Sequence, residues 1–536
     1  MSEVVPLMRA AVVVFAALVS GACTAPRPLD IDTLSDAAEE QRQLLVERVT
    51  EASRPLTLPE AMVFALENNM EFRLRAYDAA LATGNRKLAT MSMLPTLTAR
   101  AGYRKRNNVQ ASVSESVDTG RVSLVPSTSS DEESHNHELE IGWNALDFGL
   151  AWFRAREFGE QALIAEEERR RVSYQLATEL IYAWDKAVAF QSVAPQLAEA
   201  RSLLDDAMTY SDQILARRLR DQVEVIEYRK ALLLILRRIN RLSLQMNEAR
   251  DELSRLLGLP AGIPLQIVTD DRAYAELDPQ RIAAIDDLQW AALLYRPEMR
   301  QALYTRRSVE RDTLRRTVEA LPSLLVSYGA NYDSNSYLVN NHWRETGLNL
   351  SLNLIKLASI PQQRRLGKLN EQASAARLEL QAAAILAQVA IAEKALRAAS
   401  TDACVSEELA TLDSEKLALL DARARAAALD RLTVIRSRVD NLLFVIEAAL
   451  DRAELRRASL MLASSVGIGA IPDAFTATDP EGKAREIDSW LAHGLQKALY
   501  EAQVEGRDVS GDDSQSVSGQ EVNDQAGERQ SCISMG

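Results

Sequence analysis

The sequence predicts an α+β chain that is mostly α, in which two copies of one helix–strand–strand–helix unit carry four β-strands of membrane-spanning length and several very long helices. Three observations predict it: stretches dominated by Ala, Leu, Glu and Arg with aromatics at only 5%, an internal repeat, and four runs of two-residue alternation. At roughly 150 residues per domain the chain could hold three or four ordinary domains, but the repeat divides it differently. Lys+Arg number 62 against 76 Asp+Glu, a net charge of −14. That balance argues against a nucleic-acid partner, whose footprint would be basic. Three Cys cannot form a disulfide framework, and four His leave little for metal or acid/base chemistry. No Ser-His, Cys-His, phosphate-loop or zinc spacing is present. The sequence therefore predicts no catalytic residue, no metal site and no cofactor, and the chain is not read as an enzyme.

Residues 1–22 read as a signal peptide. The apolar run from Ala10 to Val19 is too short for a bilayer, which needs about 20 residues, and suits a signal-peptide core. Ser20-Gly21-Ala22-Cys23 puts small residues before a Cys, as in a bacterial lipobox, with Ser20 where Leu is usual. Cys23 is the predicted lipidation site, and cleavage beside it without lipidation is the alternative. A start at Met8 instead of Met1 would give a cleaner signal. Residues 23–55 then form a lipidated N-terminal extension. No other run is predicted to be long and apolar enough for a transmembrane helix, so membrane entry requires a lipid or a closed β-barrel.

The repeat lies at an offset of 227 residues, from Leu66 to Leu293. Tyr77 falls on Tyr304, Leu94-Pro95-Thr96-Leu97 on Leu321-Pro322-Ser323-Leu324, Gly102 on Gly329 and Asn108 on Asn335. Farther on the offset is 211, aligning Arg154 with Arg365 and Glu160-Gln161-Ala162 with Glu371-Gln372-Ala373, so the first copy carries a loop 16 residues longer. The copies occupy 56–262 and 281–470, joined by a linker at 263–280. A tail at 471–536 reads as disordered from about 505.

Each copy has a helix, then Leu-Pro, then two strands, at about 96–106 and 137–146 in the first and about 323–333 and 343–355 in the second. Leu97, Ala99, Ala101 and Tyr103 take one face and Arg100, Gly102 and Arg104 the other. Leu139, Ile141 and Trp143 oppose Glu138 and Glu140, and Leu324, Val326, Tyr328 and Leu348, Leu350, Leu352, Leu354 repeat the pattern. A half-buried sheet in a soluble domain alternates in the same way. Segments of about 10 alternating residues with Tyr and Trp near their ends suit membrane strands instead. On that reading Arg100, Arg104, Glu138 and Glu140 face a polar lumen. Four strands cannot close a barrel, the smallest of which has about eight, so further copies of the chain must cover the edges: two copies give eight strands and three give twelve.

Heptad-like apolar spacing runs through about 150–257 and about 362–466, as in Leu176, Leu180, Ala183, Ala187 and Leu232, Ile235, Ile239, Leu242, Met246, Leu253. Each stretch divides into two helices of roughly 50 residues, about 75 Å long at the helical rise. Helices of that length require a coiled-coil rod or the wall of a tube. Leu257-Gly258-Leu259-Pro260 and Val466-Gly467-Ile468 are helix stops.

The sequence resembles the TolC-like outer-membrane efflux factors, in their lipoprotein branch. The resemblance is carried by Leu56-Thr57-Leu58-Pro59-Glu60-Ala61 with Leu66-Glu67-Asn68-Asn69, the Leu-Pro steps at Pro95 and Pro322, the duplication, and Leu256-Leu257-Gly258-Leu259-Pro260. It spans roughly residues 56–470. It implies a homotrimer whose four strands per chain build a twelve-stranded outer-membrane β-barrel, continuous with a long periplasmic α-helical coiled-coil tunnel. The implied role is a passive exit duct for small molecules (drugs, toxic compounds or metal ions). The implied partners are a periplasmic adaptor (membrane fusion protein), an inner-membrane pump and outer-membrane lipid, with no nucleic acid. Family members usually carry a Gly at each hairpin tip before a Leu-Asp-Val-Leu-like run. Val223-Glu224-Val225-Ile226 and Leu432-Thr433-Val434-Ile435 match that run, but the Gly positions fall near Arg218 and Ala427. Arg218, Asp221, Glu224, Ala427 and Asp430 are accordingly expected at the tunnel mouth and adaptor contact.

Other features have plainer readings. His135, His137 and His342 are expected in strand-connecting loops, solvated rather than metal-binding. Cys404 reads as a buried small residue, and Cys532 lies in the tail. Arg217, Arg218, Arg220 and Arg423, Arg425, Arg431 crowd the hairpin ends beside Asp221, Glu224, Asp421 and Asp430. They read as a salt-bridged surface, or as pairs between hairpins that hold a tunnel mouth shut. Glu166 to Arg171 reads as a solvated charged face. The alternative function is a periplasmic coiled-coil scaffold or adaptor lipoprotein without a channel, which should contain a β-rich lipoyl-like module; the sequence has none.

Overall fold

The computed structural model describes residues 28–217, 222–268, 284–425, 431–469, 471–472, 475–494, 497–498 and 500–501. Helix α1, Ile31–Ala52, begins where the Asp30 carboxylate accepts the Thr33 N–H at 2.9 Å. Helix α2, Leu58–Asn68, begins where the Thr57 N–H donates to Glu60 at 2.8 Å. The chain breaks at Asn69, whose side chain accepts the Glu71 and Phe72 N–H groups at 3.1 Å and so starts α3, Met70–Met91. Strand β1 is Thr96–Lys105, and the long loop after it carries the short strands β2, Ala111–Ser112, and β3, Ser127–Thr128. Strand β4, Glu133–Asn144, leads into α4, Ala145–Arg217, and α5, Gln222–Leu256. The second copy supplies α6, Ile285–Tyr295, α7, Pro297–Val318, β5, Ser323–Asp333, β6, His342–Ser351, α8, Leu354–Arg425, and α9, Arg431–Val466. Helix α10, Pro480–Ser489, follows, with a π-helical turn over Trp490–Gly494.

Corresponding elements match in length: α2 and α6 have 11 residues each, α3 and α7 have 22, α4 and α8 have 73 and 72, α5 and α9 have 35 and 36. Their stops match too. In both copies a carbonyl five residues back accepts an N–H at the end of the shorter helix, from Leu259 to Ser254 at 2.8 Å and from Ile468 to Ala463 at 2.9 Å. Gly258 and Gly467 sit at φ +72° and +97°, a region that favours glycine. Each also seats against the helix break of its own copy. A Cβ on Gly258 would lie 2.5 Å from the Asn68 carbonyl oxygen, and one on Gly467 would lie 2.6 Å from the Tyr295 carbonyl carbon.

Three expectations are corrected. The long stretches do not divide into two helices of equal length: one member of each pair is about twice the other. Each long helix is flanked by the preceding 22-residue helix on one part and by the following shorter helix on another. Its 73 residues in α4 would extend about 110 Å. The second stretch begins at Leu354 and not at about 362, so Pro361 lies inside α8. Asn353 caps that helix by accepting the Ile355 and Lys356 N–H groups at 3.1 Å, so β6 ends at Ser351 and Leu352 and Leu354 leave the alternating row. Asn144 does the same for α4, accepting the Leu146 N–H at 3.0 Å. Finally, α8 is long and apolar enough, by length and composition alone, to cross a membrane. Yet Ile385, Val389 and Leu396 on it are fully buried in the helical core.

The sheet runs β1-β4-β5-β6, antiparallel throughout, with β1 and β6 at its edges. One core joins α2, α6 and α10 to the middle of the long helices, and a second runs along α4, α5 and α9 through Leu204, Leu232, Ile239 and Val439. The sheet lies at the start of the two long helices, where β4 leads into α4 and β6 into α8.

Candidate functional site

The candidate site is the polar face of the sheet together with the helical walls that continue from it. On that face Arg100 donates to Glu138 at 3.0 Å and reaches Glu140 at 3.5 Å, joining three of the four predicted residues in one cluster. Arg104 stands apart from that cluster and donates to Ser130 Oγ at 3.3 Å. All four strand glycines, Gly102, Gly142, Gly329 and Gly347, lie in the polar set. Space there is tight, since a Cβ on Gly102 would lie 2.2 Å from Asn136 Oδ1. The smaller side of a curved sheet has this property. The opposite face is exposed and apolar, with Leu97 70% and Leu348 74% accessible.

Rings gather at both ends of the strands. Toward the helices, Trp143 lies 5.7 Å from Phe148, Trp152 lies 4.9 Å from Phe153, and Arg156 sits 4.4 Å over the Trp152 ring. Toward the loops, Tyr103 lies 5.0 Å from His135, and Tyr332 lies between His137 and His342. This corrects the loop assignment of all three histidines: β4 begins at Glu133 and β6 at His342. The ladder extends past the alternating apolar residues because imidazole and phenol rings continue the outward row. The two loops at this end are tied together, the Ser336 N–H donating to Asp131 at 2.5 Å and Asn335 Nδ2 to the Ser129 carbonyl at 3.0 Å.

Buried charge bonds the helical walls. Glu160 is 4% exposed and accepts from Arg307 at 2.9 Å and from Arg311. Asp185 accepts from Arg456 at 2.8 Å. Glu168 accepts from Arg171 at 2.7 Å and Gln301 at 3.1 Å. The Arg171 hydrogen bonds lower the Glu168 carboxyl to about 2 against the opposing effect of burial, with Gln301 adding to the lowering.

The hairpin ends carry pairs that the sequence reading missed. Arg229 pairs with Asp212 within the first hairpin, and Arg438 with Asp421 at 3.4 Å within the second. Between hairpins, Arg438 pairs with Glu199, and Arg238 with Asp440 at 2.6 Å. The partners between hairpins are 239 and 202 residues apart in sequence, so only the repeat with its coiled-coil register could have suggested them. Glu224 is exposed near the start of α5. Arg218, Asp221, Ala427 and Asp430 lie outside the described residues, as does Cys23. Cys404 is half-buried and disulfide-bonded, where the sequence suggested a buried small residue.

A scan against models of protein families finds no match, and a search of curated proteins finds none. Solved structures do match in fold. The Campylobacter jejuni CmeC outer membrane channel is 14% identical with a TM-score of 0.60, over 82% of this chain and 90% of that one. The outer-membrane channel OprN is 17% identical with a TM-score of 0.58, over 80% and 92%. The open-state Neisseria gonorrhoeae MtrE outer membrane channel is 18% identical with a TM-score of 0.54, over 77% and 89%. The chain has the mostly helical fold with a small sheet that these channels share.

Proposed function

We propose that this chain is the outer-membrane exit duct of a tripartite efflux or secretion system, passing small molecules from periplasm to exterior. The observation that carries this reading is a four-stranded sheet with unpaired edges at β1 and β6, one polar tight face and one apolar face with rings at both strand ends, continuous with helices about 110 Å long. Three copies would join β6 of one to β1 of the next, closing twelve strands and removing every edge. The polar face with Arg100, Arg104, Glu138 and Glu140 then lines the lumen, and the apolar face meets lipid. Cys23 carries the lipid anchor. The hairpin ends around Arg218, Asp221, Glu224, Ala427 and Asp430 project into the periplasm and meet the adaptor, through which an inner-membrane pump feeds the duct. The fold shared with outer-membrane channels supports the reading.

Detergent-extracted protein should have trimer mass and should conduct in planar bilayers. A stable monomer with its strands folded would end the proposal. Faces are tested by Ala101→Arg, which puts a charge in lipid at about 2–4 kcal/mol near the midplane and should reduce assembled trimer far more than Arg100→Gln. Equal tolerance at both positions would contradict the face assignment.

A further inference from the structure

Three of the chain's four histidines meet on one patch of the sheet. His137, Tyr332 and His342 share one ladder level across β4, β5 and β6, with ring centroids 5.7 and 4.7 Å apart. One level nearer the helices, Ala330 stands opposite Arg344. A groove of about 470 Å³ below the three rings is lined by Ala99, Ala101, Leu139 and Ala330, with Arg100, Glu138 and Asn331 of the alternate set along it. Arg344 is exposed and has no ion pair among the described residues, while Glu345 next to it falls in the opposite set of the strand. The carboxylate at the loop end of this face, Glu133, is already held by Tyr103 at 2.8 Å and Lys105 at 3.3 Å. The rim therefore offers the two imidazoles as hydrogen-bond donors, Arg344 stands beside it on β6, and the floor on this face is apolar at Ala99, Ala101, Leu139 and Ala330.

We propose that this groove binds a phosphate-bearing membrane lipid. Its acyl chain lies over the alanine floor, and its phosphate oxygens accept hydrogen bonds from the Arg344 guanidinium and from the His137 and His342 rings. A guanidinium matches phosphate through its planar fork, and amphipathic rings suit the level where headgroups meet acyl chains. The apolar floor favours a lipid over a free anion. Strand alternation turns the Arg100 and Glu138 side chains to the opposite face, although both residues border the groove, so the site is separate from the lumen pair. The proposal rests on reading the apolar face as lipid-facing.

The test is isothermal titration of the full chain in a neutral detergent with dioctanoyl phosphatidic acid, with dioctanoylglycerol and inorganic phosphate as partial probes. Phosphatidic acid should bind about tenfold tighter than either partial probe, the scale of one hydrogen bond to a charged group. Ala330→Trp, which fills the groove, should abolish binding of phosphatidic acid and dioctanoylglycerol alike. Arg344→Gln and His342→Phe should remove the preference for phosphatidic acid, and Arg344→Gln keeps the test decisive if Ala330→Trp does not assemble. Equal affinity for the two lipids, displacement by an equal concentration of inorganic phosphate, or unchanged binding in Ala330→Trp overturns the proposal. Trimer mass on the same samples separates the two readings: intact trimers that bind no lipid overturn the groove alone, and lipid-binding monomers overturn the duct alone.

Discussion

The long helices α4 and α8 occupy the same place in the two copies and have nearly equal length, yet their surroundings differ. Helix α4 packs against α3, α5, α7 and α9, whereas α8 packs against α6, α7 and α9. Counterparts at the offset of 211 show the consequence. Leu180 on α4 is 1% exposed, and Ile391 on α8 is 66% exposed. Glu160 on α4 is buried and paired with Arg307 and Arg311, while Glu371 on α8 is half-exposed. The cations explain the second contrast. Arg307 and Arg311 lie on α7, and the corresponding positions on α3 hold Ala80 and Gly84. Duplication thus gave two helices one shape, and divergence of their neighbours made one an interior strut and the other a lateral edge. Helix α3 carries a matching exposed stripe at Leu74, Tyr77, Leu81 and Leu88, spaced as one side of a coiled coil.

The sharpest way to break this comparison is to remove both glutamates. Glu160→Ala leaves two partly exposed arginines without their buried partner and should cost about 1–3 kcal/mol of protomer stability, read as a fall in detergent melting temperature. Glu371→Ala, at the same repeat position, should stay within about 0.5 kcal/mol of wild type. Similar losses from both would show that the repeat position, and not the neighbouring helix, sets the role.

The next contrast is between folding and assembly. Ile391→Glu should leave the protomer folded by circular dichroism yet markedly reduce the recovered trimer, because a charge would enter a subunit interface on the proposed lateral edge. A trimer unaffected by Ile391→Glu would make that edge a solvated face. Leu180→Ala should act in the other order, destabilising the protomer by about 2–5 kcal/mol as a core cavity does.

Much of this was legible in the sequence. Alternation in Leu97 to Tyr103 and Leu324 to Tyr328 marked strands because a two-residue period has one physical cause, a face that differs from its opposite. The glycine stops at Gly258 and Gly467 were legible because their φ values exclude most other residues. Helix lengths were less legible. Pro361 resembles a breaker, but Asn353 supplies a cap farther upstream and the helix runs on through the proline. The histidine belt was missed because His135 and His137 interrupt apolar alternation while keeping its direction. The inter-hairpin ion pairs were missed because Arg238 and Asp440 belong to different copies, and nothing local to either names the other.

A pH titration reads one half-buried pair directly. The Glu168 carboxyl, lowered by its Arg171 hydrogen bonds to about 2 from the ordinary 4.5, binds its proton far less readily in the folded chain. A lowered carboxyl contributes stability that is complete above the unfolded value and is lost as pH falls toward the folded one. Melting temperature should therefore fall between pH 4.5 and 2, and fall less in Glu168→Gln over that window. An equal slope in the variant would assign the acid loss to other carboxylates.

The smallest expected effect lies part-way along the hairpins. Arg238 and Asp440 join α5 to α9 with side chains 52% and 28% exposed, so a double-mutant cycle of Arg238→Ala and Asp440→Ala should give a coupling of about 1 kcal/mol or less. Its direction matters more than its size. The pair links the two copies across the wall, where Leu232, Ile239 and Val439 already pack, so breaking it should loosen the contact between α5 and α9 without unfolding the core. If the hairpin ends form the narrow mouth of the duct, Arg238→Ala should raise bilayer conductance while the melting temperature barely moves. A loss of melting temperature with unchanged conductance would make the pair a structural brace and leave the mouth to be set elsewhere.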